Sequence, residues 1–130
     1  MKIFISSIYV DDQEKALQFY TQKLGFLKKE DESAGGYRWL TVVSPEGPDG
    51  MELLLEPNAN PIAKTYQQAL LEQDIPATLF ATADLNAEHA RLAALGVEFK
   101  LPPQDIGPMK IARFLDTCGN LIQINQPKQG

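Results

Sequence analysis

Three landmarks of the sequence return at almost one spacing, and this internal repeat restricts the chain to a small set of folds. Asp12 and Asp84 stand 72 positions apart, Leu24-Gly25 and Leu95-Gly96 stand 71 apart, and Glu52 and Gln123 stand 71 apart. Agreement among three unrelated features marks a duplicated structural unit.

Each copy reads as the same order of elements. Ile3 to Val10 is rich in β-branched and aromatic residues and predicts a strand, after which Asp11 and Glu14 form a capping box for a helix. Ala16, Phe19, Tyr20 and Leu24 give that helix its apolar stripe, and Gly25 supplies the left-handed position that ends it. Strands follow from Phe26, from Tyr37 to Val43 and from Met51 to Leu55, with dense turn chemistry between Ser44 and Gly50. Asn60-Pro61 then opens a second helix with a stripe of Ile62, Tyr66, Ala69 and Leu70. After it the pattern returns: strand from Thr78 to Thr82, cap at Asp84, stripe of Leu85, Leu92 and Leu95, stop at Gly96, and strand from Val97 to Leu101. A proline-rich loop is expected from Pro102 to Pro108, and strands from Lys110 to Leu115 and Leu121 to Ile124.

The expectation is an α+β chain of two βαβββ modules in a single domain spanning 1–130. Module one is 1–58, a connector helix 59–75, and module two 76–127. A four-stranded sheet with one helix leaves its other face bare, so two modules are expected to pair curved sheets around a cavity suited to a ligand.

Charge and composition narrow the partners. The net charge is −5 and the basic residues are scattered singly, which argues against nucleic-acid binding. No apolar run reaches the roughly 18–20 residues needed to span a bilayer, and the N-terminus lacks a secretory leader, so no membrane association and a cytoplasmic location are expected. One cysteine, Cys118, precludes an internal disulfide.

Val10-Asp11-Asp12, Ala16, Phe19-Tyr20 and Leu24-Gly25-Phe26 follow an opening pattern of V-x-D, A-x-x-F-Y and L-G-F. Asp116-Thr117-Cys118-Gly119-Asn120-Leu121-Ile122-Gln123 follows a closing pattern of D-P-D-G-N-x-I-E. In these motifs the chain resembles the glyoxalase/bleomycin-resistance/extradiol-dioxygenase (vicinal oxygen chelate) superfamily. The resemblance implies four metal-ligand positions, one from the first and one from the last strand of each module. Here they fall on Ile5, Glu52, Ala77 and Gln123. Ile5 and Ala77 have no electron pair to donate, and one carboxylate with one amide leaves most of a coordination sphere to solvent. The expectation is a divergent member lacking most metal ligands, with no cofactor and at most a weakly bound divalent metal.

Strand alternation sends Glu52, Leu54 and Glu56 to one face and Leu53 and Leu55 to the other, towards the helix. Glu52 is then either a general base with an upward-shifted pKa in apolar surroundings or a carboxylate left from a metal site. Gln123 is suited to orienting a ligand carbonyl or hydroxyl, or to bonding Glu52. Trp39 reads as a pocket wall or a core residue, and Tyr9 projects with Ile5. Arg113, set among Ile111, Ala112, Phe114 and Leu115, needs a partner: a ligand carboxylate or phosphate, or a protein carboxylate such as Glu52 or Asp116. His89, the only histidine, reads as structural, and Cys118 as an inert turn residue.

The leading expectation is therefore a small-molecule binding protein, taking an apolar or aromatic ligand through Tyr9, Trp39, Glu52, Arg113 and Gln123 without a conventional metal centre. The alternatives are a lyase, isomerase or dioxygenase-type enzyme using Glu52 as base or metal ligand, and a dimeric interaction module without a ligand. A homodimer is expected, with the connector helix or the 102–108 loop at the seam.

Overall fold

In the computed structural model, which describes residues 1–128, β1 (Ile5–Val10) leads into Asp12. Asp12 is the residue that caps α1 (Gln13–Gln18), its carboxylate accepting from the Lys15 amide at 3.0 Å. Asp11, the expected cap, instead pairs with the Lys15 ammonium at 3.0 Å, one residue too early to reach the first turn. α1 then widens into a π-helical turn, Phe19–Lys23, which buries Phe19 and Tyr20. Gly25 ends it at φ +86, and Gly96 takes the same φ at the end of the corresponding helix in the second module. The repeat spacing therefore marks two equivalent left-handed helix stops.

β2 (Leu27–Ala34), β3 (Tyr37–Val43) and β4 (Glu52–Pro57) complete the first sheet in the order β1-β4-β3-β2. β1 and β4 run parallel, with Ile5 beside Glu52 and Tyr9 beside Glu56. Ile8, Val10, Leu40, Val42 and Leu55 line the face that receives Ala16, Leu17, Phe19 and Tyr20, and all are buried. Each large apolar side chain removed from water here contributes about 1.5–3 kcal/mol.

α2 (Pro61–Glu72) follows, with Asn60 Oδ1 accepting from the Ile62 amide at 2.9 Å. Its buried positions are Ala63 and Gln67, whereas Ile62 and Tyr66 of the expected apolar stripe are exposed and Ala69 and Leu70 are half-buried. Chain contacts divide the protein into two compact units, 1–65 and 66–130, and the division falls inside this helix.

The second unit repeats the order. β5 (Thr78–Ala81), α3 (Leu85–Ala94), β6 (Phe99–Asp105), β7 (Met109–Leu115) and β8 (Leu121–Pro127) form a sheet ordered β5-β8-β7-β6. Asp84 caps α3 through the Ala87 amide at 3.1 Å. Leu85 and Leu92 of α3 are buried, as are Ala112, Phe114, Ile122 and Ile124 of the sheet. The architecture is thus α+β, two βαβββ modules, each with an open sheet.

One expected loop is a strand. β6 continues through Pro102 and Pro103 to Asp105. It lies at the edge of its sheet, where a missing N–H disturbs no outer neighbour, and its pairing with β7 shifts register between Leu101 and Gln104 to absorb the prolines.

Candidate functional site

The candidate residues lie on the sheet faces opposite the buried helix-facing side chains. In the first unit, register places Ile5, Ser7 and Tyr9 of β1 on one face with Glu52, Leu54 and Glu56 of β4. Thr41 pairs with Leu54, so Tyr37, Trp39 and Thr41 share that face by the two-residue period of a strand. Trp39 is 39% exposed and Tyr37 42%, two large aromatic surfaces presented side by side. Partial burial, and secondarily the negative charge of Glu56, push the Tyr37 phenol up from its ordinary value. Tyr37 therefore remains a neutral hydroxyl donor well above physiological pH.

Glu52 does not sit among apolar groups as expected. Its Oε1 accepts from the Thr41 hydroxyl at 2.8 Å, and its Oε2 lies 3.5 Å from the Lys29 ammonium. Thr41 is fully buried and its Oγ1 accepts in turn from the Glu30 amide at 3.1 Å. Lys29 comes within reach because the β2–β3 ladder is irregular between Lys28 and Glu30. That irregularity, and hence Lys29, was missed from sequence, because a run of Lys28-Lys29-Glu30-Asp31-Glu32 reads as a solvated face.

In the second unit Arg113 and Gln123 are register partners on β7 and β8. Arg113 Nε donates to Gln123 Oε1 at 2.9 Å, Gln123 Nε2 donates to Asn125 Oδ1 at 2.8 Å, and Asn125 Nδ2 donates to Met109 Sδ at 3.1 Å. Arg113 Nη1 also reaches the Asp74 carbonyl at 3.5 Å. Asn125 and Met109 went unrecognised, although Gln123 and Asn125, two apart on a strand, necessarily share a face. Leu79 is the register partner of Gln123, and Ala77, the position expected there, lies two residues before it and donates its amide to Leu121 at 2.8 Å.

The remaining sequence candidates serve the framework. The Asp116 carboxylate, proposed as a partner for Arg113, is fully buried and accepts from the Cys118 amide at 2.8 Å, the Asn120 amide at 3.0 Å and Asn120 Nδ2 at 2.8 Å. Cys118 is a buried thiol inside that turn. Gly119 holds φ +100, and a Cβ on it would meet Gln67 Nε2 at 2.8 Å. The closing sequence motif thus builds a turn. His89 packs edge-on against Phe99, ring centroids 4.5 Å apart, and Phe99 meets the buried Phe114 with the rings tilted at 55° and 5.6 Å between centroids.

The donors present do not fit a family-type metal. Glu52 already faces an ammonium and Gln123 Oε1 a guanidinium, so a divalent cation at either would meet positive charge. Among the described residues no group of three or more His, Cys, Asp and Glu side chains is placed to hold a metal. None of the described helices is long and apolar enough to cross a membrane.

Comparison with known proteins agrees with the fold. The model of the Glyoxalase/Bleomycin resistance protein/Dioxygenase superfamily matches residues 3–124. The uncharacterized protein YurT of Bacillus subtilis (strain 168) is 55% identical over 126 residues, covering 97% of this chain and 99% of YurT. The crystal structure of UcmS2 matches with a TM-score of 0.84 and 28% identity over 96% of this chain and 97% of that one. TnmS3, an antibiotic binding protein from Streptomyces sp. CB03234, matches with a TM-score of 0.79 and 30% identity over 98% of this chain and 97% of its own. Motifs, duplicated modules and a family match over nearly the whole length agree, and the chain belongs to the glyoxalase/bleomycin resistance protein/dioxygenase superfamily.

Proposed function

We propose that this protein binds a small apolar or aromatic molecule on the first-sheet face carrying Tyr9, Tyr37 and Trp39, without a conventional metal centre. The observation that carries the reading is the exposure of Trp39 and Tyr37 on one strand face, at 39% and 42%. Flat, rigid aromatic surfaces left in water supply contact area at little entropic cost when a ligand covers them. The description of TnmS3 as an antibiotic binding protein, at 30% identity, lends support. An enzyme with Glu52 as its base has less support, because Thr41 and Lys29 engage both carboxylate oxygens.

The same reading includes a homodimer with Ile62 and Tyr66 in its contact, supported by the exposure of these two large side chains one helical turn apart. It also includes a cytoplasmic location, supported by a lone cysteine kept as a buried thiol.

Trp39 is the single tryptophan, so its emission reports on this face alone. A panel of planar aromatic compounds should contain members that quench it saturably and raise the melting temperature. At about 100 times its dissociation constant such a ligand stabilises the fold by roughly 2.7 kcal/mol. A panel without one saturable quencher would refute the assignment.

A further inference from the structure

We propose that Arg113 is an oxyanion receptor: its guanidinium takes the carboxylate of a small molecule on the β7–β8 face of the second sheet. The proposal rests on the reading of the chain as a small-molecule binder and adds, within the second unit, a site for an anionic ligand.

The hydrogen-bond ladder on β7 and β8 has a direction. The Met109 thioether can only accept, so the Asn125 amide nitrogen faces it, and the Asn125 oxygen then receives Gln123 Nε2. That leaves the Gln123 oxygen turned to Arg113 Nε, 2.9 Å away. Three side chains hold the guanidinium plane, and they do so without neutralising it.

Among the described residues of its own unit no carboxylate pairs with Arg113, since Asp116 is committed to the turn beside it and Asp74 offers only its backbone carbonyl. With Nε bonded to Gln123 and one Nη1 hydrogen directed at Asp74, one hydrogen on Nη1 and two on Nη2 remain. The Nη1–Nη2 edge is the fork that matches two carboxylate oxygens. Gln123 and Ile111 beside it are only 8% and 6% exposed, so the guanidinium stands on a closely packed stretch of the sheet face. Across the strand lies Leu79, 54% exposed, an apolar surface for the body of the same ligand.

Three probes sharing one ring system separate the contributions: pyrenebutyrate, pyrenebutanol and pyrenebutylammonium, measured by equilibrium dialysis on the full chain. The carboxylate should bind tenfold or more tightly than the alcohol, and the ammonium no better than the alcohol. Arg113→Gln should erase the preference of carboxylate over alcohol, and Arg113→Lys, which keeps charge without the fork, should retain part of it. Equal binding of carboxylate and alcohol, or a preference that survives in Arg113→Gln, would overturn the proposal. Absence of binding by all three contradicts the aromatic-ligand reading, and the Arg113 Nε–H resonance then decides the anion site by itself. A saturable shift of that resonance with benzoate, and none with benzamide, upholds it; a flat response to both overturns it. This second measurement uses the unaltered protein, so it stands if the Arg113 variants fail to fold.

Discussion

Gln67 donates its side-chain amide to the backbone carbonyl of Cys118 at 3.1 Å, fastening α2 to a turn 51 positions further along the chain. The same nitrogen reaches Asn120 Oδ1 at 3.2 Å, and Gln67 is only 5% exposed. Replacement by Leu leaves two buried acceptors without this donor, at a cost of about 1–3 kcal/mol. Gly119→Ala forces an L side chain to φ +100 against the Gln67 amide and should also cost about 1–3 kcal/mol. Urea unfolding of Gln67→Leu, of the single variants Gln67→Ala and Gly119→Ala, and of the last two combined checks both statements. The double change should cost less than the sum, because removing the amide makes room for the new methyl. Strict additivity would show that the contact carries no coupling.

Arg38 sits between Asp31 and Glu14, with Nε 2.8 Å from Asp31 Oδ1 and Nη2 3.1 Å from Glu14 Oε1. The Arg38 hydrogen bond holds the Asp31 carboxyl down at about 2, from an ordinary 3.8. The Glu14 carboxyl is lowered as well, by Gln18 first and Arg38 second. A depressed folded-state pKa means stability that is present above the unfolded value and lost as pH falls through the folded one. The stability gap between the wild type and Arg38→Gln should therefore persist down to about pH 4 and close towards pH 2, the effect remaining small because the pair meets solvent. A gap that stays constant across that window would show that Arg38 acts by packing alone.

Trp39→Ala should lower the unfolding free energy by only about 1–2 kcal/mol, less than the loss of a fully buried tryptophan, since the side chain is 39% exposed. Its effect should fall on ligand binding, with a loss of about 1–3 kcal/mol, or roughly 5- to 150-fold in affinity. A variant that binds normally but unfolds much more easily would make Trp39 a core residue.

Metal removal should change little. Dialysis against EDTA, or addition of nickel, zinc or manganese, is expected to leave the melting temperature unchanged, and plasma emission analysis should find well under one ion per chain. A tightly held ion lost on Glu52→Ala would mean that Lys29 swings aside and that the carboxylate is a ligand after all.

The dimer prediction rests on Ile62, 79% exposed, and Tyr66, 58% exposed. Sedimentation at micromolar concentration should give a species of twice the 14.4 kDa chain mass, and Tyr66→Glu should dissociate it. A monomer at every concentration defeats the proposal. A dimer indifferent to the substitution moves the contact elsewhere.

What could be read from sequence follows from how locally each feature is determined. The Asp12 and Asp84 helix starts and the Gly25 and Gly96 stops are set by a few neighbouring residues, so the duplicated modules were visible. Strand parity likewise grouped Glu52 with Leu54 and Glu56, whereas Trp39 stayed open between pocket wall and core until the pairing of Thr41 with Leu54 fixed its face. Pro102 and Pro103 were misread because an edge position is a property of the sheet, not of the tripeptide around a proline. Nothing local to α2 singles out Gln67, and only the turn 116–120 packed over it makes it buried. The setting of Glu52 depended on a ladder irregularity at Lys29, which no periodicity announces.

The last-paired strands of the two sheets, β2 and β6, also bear on what this protein does when it is crowded. Both leave a row of backbone groups on which another chain could template itself. β2 answers with five consecutive charged residues, Lys28 to Glu32, and β6 with two prolines that have no N–H to offer. Neither edge is a good seed for a growing sheet, so strand addition along these two borders is disfavoured.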